Sequence, residues 1–164
     1  MRNRSGVALA AVLGIALAAS LGAPAEGGVP SDDFEITAAR RAGAPYDDDG
    51  FRLNLDEGEN KSVLLKVKST NAEPEVVTLR QSPIWPEGIT AKHFRGDLEI
   101  TDAVLGEGFD VTVQSGPAER FRARFKRPNG TPAEGCANIH VSQLDGSFSA
   151  VLIAINQGQD ACAI

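Results

Sequence analysis

From Phe34 onward, apolar and polar residues alternate with a period of two along most of the chain, the pattern of a strand with one wet face. Val63, Leu65 and Val67 alternate with Leu64, Lys66 and Lys68. Phe109, Val111 and Val113 alternate with Asp110, Thr112 and Gln114, and Phe121, Ala123 and Phe125 alternate with Arg120, Arg122, Arg124 and Lys126. Shorter runs add Phe34 with Ile36, Phe51 with Leu53 and Leu55, Val77 with Leu79, and Ile139 with Val141. Val151 to Ile155 is continuously apolar and is expected to be buried on both sides. The pattern predicts about nine strands and no helix of three or four turns.

Turn chemistry separates these runs at short, even intervals: Asp49-Gly50, Glu57-Gly58, Pro83 with Pro86, Gly96-Asp97, Gly106 with Gly108, Gly116-Pro117, Asn129-Gly130 and Asp145-Gly146. Short strands so punctuated, without crossover helices, predict an all-β sandwich rather than parallel βαβ units.

The first residues follow a different pattern. Arg2 and Arg4 precede the small and apolar stretch Val7 to Ala19, and Ala23-Pro24-Ala25 supplies a small-residue cleavage site, the order of a secretory signal peptide over residues 1–25. The apolar stretch is shorter than the roughly 20 residues a spanning helix needs. Residues 26–33 are expected to be a flexible leader, and 34–164 the sandwich domain. Cleavage would remove two arginines and lower the net charge from −6 to −8. Such an acidic chain is a poor partner for nucleic acid or an anionic membrane surface, and no membrane insertion is expected.

Secretion, extracellular or periplasmic, makes Cys136 and Cys162 the two halves of a disulfide, tying the final strand to the one before it. Their spacing is unlike the C-x-x-C of redox and metal sites.

The run from Phe34 to Ile155 resembles the immunoglobulin-like β-sandwich modules of bacterial secreted and surface proteins. The acidic turn Asp47-Asp48-Asp49-Gly50 follows the first strand, and the strand Ser62 to Ser69 leads through a Pro74 turn to Val76 to Gln81. Ile89 to Phe94, the turn Arg95-Gly96-Asp97 and Leu98-Glu99-Ile100-Thr101 then follow as strand, turn and a closing Ile-Thr segment, before the Gly106 to Gly108 bend. The chain departs from the family pattern in carrying a single copy and two cysteines. The resemblance implies a single immunoglobulin-like two-sheet antiparallel sandwich and a non-enzymatic binding or spacer role.

Candidate chemistry is sparse. Asp47, Asp48 and Asp49 concentrate three carboxylates on one turn and are the best calcium candidate, with Glu57, Glu59 or Asp97 as ligands that folding could add; otherwise no cofactor is expected. The EF-hand spacing is absent. Trp85, within Ser82-Pro83-Ile84-Trp85-Pro86-Glu87, either lids the core or presents its ring to a sugar or protein ligand. The stripe Arg120, Arg122, Arg124 and Lys126 is expected to pair with acids on neighbouring strands, the alternative being an anionic polymer. His93 and His140 are assigned to the wet phase of their strands. Without a G-x-S-x-G elbow, a phosphate loop or clustered metal ligands, no catalytic residue is assigned. Asn60-Lys61-Ser62 and Asn129-Gly130-Thr131 fit the N-glycosylation pattern.

Together these readings predict a secreted adhesion or accessory binding module, partnered by a protein or polysaccharide of the envelope or extracellular space. A carbohydrate- or calcium-linked ligand-binding domain and a small secreted hydrolase are the alternatives.

Overall fold

The computed structural model describes residues 29–162. The expected signal segment, residues 1–25, lies outside them. Ten strands form: β1 (Phe34–Ala39), β2 (Gly50–Leu53), β3 (Asn60–Ser69), β4 (Glu75–Gln81), β5 (Thr90–Arg95), β6 (Leu98–Glu99), β7 (Phe109–Val113), β8 (Glu119–Lys126), β9 (Gly135–Ser142) and β10 (Phe148–Ile155). They make two five-stranded sheets, ordered β1-β3-β8-β5-β6 and β2-β10-β9-β4-β7. All pairings are antiparallel except that of β2 with β10. The protein is an all-β two-sheet sandwich.

The period-two pattern explains the layers. Val63, Leu65 and Val67 of β3 and Phe121, Ala123 and Phe125 of β8 point inward from the first sheet. Ala137, Ile139 and Val141 of β9 and Val151, Ile153 and Ile155 of β10 point inward from the second. All are buried in one continuous core, where a large apolar side chain contributes about 1.5–3 kcal/mol relative to exposure.

Two local features depart from the sequence pattern. Ile100-Thr101 does not continue a strand; Thr101–Leu105 is a short helix, α1, with Val104 buried beneath it. In addition, Val29 and Ser31, within the segment expected to be a loose leader, make backbone hydrogen bonds to Phe148. Gly50 opens the parallel pairing of β2 with φ +102, and a Cβ there would fall on the Leu152 carbonyl. Only glycine meets both conditions.

Candidate functional site

The loop from Ser82 to Gly88 joins β4 to β5 and crosses between the sheets. It is tied down along most of its length. Ser82 donates its N–H to Asn138 (2.9 Å), and Trp85 and Cys136 exchange backbone hydrogen bonds of 3.2 and 2.8 Å. Ile84 and Ile89 are buried on either side of Trp85, and Gly135 lies so close beneath them that an added Cβ would be 3.1 Å from Ile89 Cδ1. With its neighbours anchored inward, the Trp85 side chain is directed outward and is 68% exposed. The ring is a presented aromatic, not a lid on the core.

The disulfide braces this corner from behind. Cys136 is bonded to Cys162, 26 residues later, but Cys162 lies in a 3-10 turn, Gln159–Cys162, beyond β10. The bridge therefore ties that turn to β9 rather than joining the last two strands. Gln157 donates toward both sulfurs, at 2.9 and 3.4 Å. Asn156, at φ 56, accepts the Leu55 N–H at 2.7 Å and donates to the Leu55 and Ala133 carbonyls at 2.7 and 2.6 Å. Asparagine tolerates this left-handed backbone better than most residues. These contacts fix the walls of an open cleft of about 320 Å³ beside Trp85, lined also by Pro86, Pro132, Glu134 and Gln157. The cleft offers an indole face, a carboxylate and an amide, which suits recognition of a polar ligand or a protein side chain.

The acidic turn stands apart from that cleft. Carboxylate oxygens of Asp47, Asp48 and Asp49 lie within 4.8 Å of one another, all on exposed residues. Asp47 Oδ1 is already engaged, accepting the Asp49 and Gly50 N–H groups at 3.0 and 3.2 Å. Two of the other acids suggested by sequence are occupied elsewhere: Glu59 pairs with Lys61 at 2.9 Å, and Glu57 accepts the Gly130 N–H at 2.5 Å; Asp97 is not grouped with the three aspartates either. None of these joins the cluster, and none of the three aspartates lines the Trp85 cleft.

His93 corrects its expected position. Its side chain points into the core with 0% exposure, and Nε2 lies 2.9 Å from Gln81 Oε1, so that nitrogen carries the proton and donates. Nδ1 has no partner. The phase was recoverable from Ile89 and Ala91, which share the buried side with it; Phe94, the more apolar neighbour, misdirects the reading by facing outward. His140 does occupy the outer face of its sheet, opposite Arg80, and its pKa is lowered by partial burial and secondarily by the Arg80 charge.

Burial pushes the His93 pKa from 6.5 down to about 4. The folded state therefore binds fewer protons than the unfolded state between those values, and stability rises with pH there. The contribution is fully present above pH 6.5 and is lost as pH falls toward 4, by about 3 kcal/mol at 1.36 kcal/mol per unit. Urea midpoints measured across this window should fall for the wild type and fall less for His93→Gln.

The basic stripe also departs from expectation. Arg120, Arg122, Arg124 and Lys126 face outward from β8, but no acid lies opposite any of them. The register places Lys66 against Arg120, Leu64 and Phe94 on either side of Arg122, and Ser62 and Lys92 on either side of Arg124. Among the described residues none of the four forms an ion pair. Asn60 and Asn129 of the two glycosylation patterns are both exposed.

No protein-family model matches the chain, and no curated protein matches it. Among solved structures it is similar to a family 123 glycoside hydrolase from Clostridium perfringens, studied for glycolipid glycan hydrolysis, at 14% identity and a TM-score of 0.43 over 68% of this chain and 23% of that one. It is also similar to a chain from a chaperone-tip adhesin complex of CFA/I fimbriae biogenesis, at 14% identity and a TM-score of 0.40 over 74% of this chain and 56% of that one. The chain thus spans less than two thirds of either protein.

Proposed function

We propose that this protein is a secreted, non-enzymatic recognition module of immunoglobulin-like architecture, acting in adhesion or accessory binding at or outside the cell envelope. The observation that carries the reading is the exposed indole of Trp85 on a loop whose backbone is fixed to β9. Tryptophan is the side chain most often found at the energetic centre of an interface, and a loop already ordered loses little entropy on binding. The Cys136–Cys162 bridge is consistent with an oxidising compartment, and among the described residues no helix is long and apolar enough to cross a membrane. The non-enzymatic part of the reading draws on His93, which is enclosed and bonded to Gln81, and on His140, which has Arg80 rather than an acid opposite it.

Co-sedimentation with washed envelopes of the producing organism tests this. The wild type should pellet, and Trp85→Ala should pellet roughly tenfold less at equal concentration, as expected for loss of an interface anchor. EDTA should leave pelleting unchanged, because the Asp47–Asp49 turn lies outside the cleft. Equal pelleting of wild type and Trp85→Ala, or none of either, would overturn the proposal.

A further inference from the structure

The outer face of the first sheet is strongly basic on a chain that is otherwise acidic. Besides the four cations of β8, Lys66 and Lys68 of β3 and Lys92 of β5 point to the same side. The carboxylates on strand positions of this face are Glu35 and Glu99, held by Lys68 at 2.9 Å and by Lys92 at 3.0 Å. The surplus stands against a net charge of −6 for the whole chain.

The register makes this arrangement unfavourable in isolation. Lys66 lies directly opposite Arg120, and like charges so placed destabilise a sheet; Lys92 lies opposite Arg124, but Glu99 pairs with Lys92 at 3.0 Å and its charge also reaches Arg124. An anion lying across the face would relieve the Lys66–Arg120 pair. The arginines are also grouped for such a ligand. The guanidinium carbons of Arg122 and Arg124 lie 4.8 and 5.4 Å from the centre of the Phe94 ring, so both groups are gathered over one aromatic surface, and guanidinium is the cation best suited to bidentate bonds with a carboxylate. Arg122 Nε is buried and has no hydrogen-bond partner among the described residues, and Lys66 Nζ sits 4.4 Å over the Tyr46 ring.

We propose that this face binds a linear acidic polysaccharide, with its carboxylates ranged along β8. Outward positions on a strand recur every ~6.7 Å, so Arg120 to Lys126 spread four cations over ~20 Å of flat surface, a geometry that suits an extended chain with repeating charge. Nucleic acid fits less well, because guanidiniums cover the Phe94 ring that a base would stack on. A second copy of the chain fits less well too: its acids are scattered over turns such as Asp47–Asp49 and Asp56–Glu57 and form no matching flat face. The proposal uses none of the Trp85 residues and stands or falls separately.

The test is titration of the purified protein with polygalacturonate, at low ionic strength and again at about 0.5 M salt, where exposed charges are screened beyond a few ångströms. Binding is expected at low salt, weakened by salt, and reduced at least roughly tenfold in the double variant Arg120→Glu with Arg124→Glu. Because Arg120→Glu replaces a like-charge pair with Lys66 and both reversed side chains are exposed, the variant should remain folded, as its melting curve would show. The double variant Arg52→Glu with Arg80→Glu makes the same change in net charge on the other sheet and should bind like wild type. Four results would overturn the proposal: no binding at low salt, equal losses in both double variants, tighter binding of a single-stranded DNA oligonucleotide than of polygalacturonate, or self-association in sedimentation that Arg120→Glu with Arg124→Glu abolishes.

Discussion

Replacing Phe125 by alanine is expected to lower stability by about 3–5 kcal/mol, the cost of removing a fully buried aromatic side chain and leaving a cavity. Phe125 is 0% exposed and lies on β8, the central strand of its sheet, between Lys61 of β3 and Ala91 of β5. The neighbouring change, Arg124→Ala, should alter stability by no more than about 0.5 kcal/mol, because that side chain points to solvent from the same strand. Urea unfolding at constant m would measure both. The contrast between adjacent residues tests the register: a one-residue slip of β8 would exchange the two effects. Similar costs at both positions would contradict the strand placement on which the basic face depends.

Removing the disulfide should have the second large effect. In the chain-entropy account, opening a loop whose ends are 26 residues apart costs about 3.5 kcal/mol. The variant Cys136→Ala with Cys162→Ala should therefore unfold at markedly lower urea. It should also loosen the recognition corner, since Cys136 pairs with the Trp85 backbone and Cys162 anchors the Gln159–Cys162 turn beside the cleft. Weaker envelope binding under conditions where the variant remains folded would show that the bridge positions the indole. A stability loss below about 1 kcal/mol would contradict the assigned bracing role.

Much of the sandwich was legible because alternation reports which face of a strand is dry, and β3, β7, β8 and β9 alternate cleanly. The failures have local causes. The expected face of His93 is wrong because Phe94 looks like the inward residue; Phe94 is instead covered from outside by Arg122 and Arg124, while Gln81 partners one nitrogen of the buried imidazole. The helix Thr101–Leu105 is too short to show a helical period. Strand order was not legible at all, since β2 and β10 meet in parallel from distant parts of the chain. That gap explains the error over the basic stripe: its outward direction follows from alternation, but its neighbours, Lys66 and Lys92, follow from topology. The exposure of Trp85 likewise depends on Cys136 holding its backbone from another strand.

The recognition role of Trp85 is tested most directly by its own fluorescence, because it is the one tryptophan of the chain. The free protein should emit at the long wavelength of a solvated indole and be readily quenched by acrylamide, as 68% exposure requires. On addition of detergent-solubilised envelope extract, emission should shift to shorter wavelength and quenching should fall severalfold. An indole already shielded in the free protein, or one whose emission and quenching do not change when the protein is bound, would contradict the account.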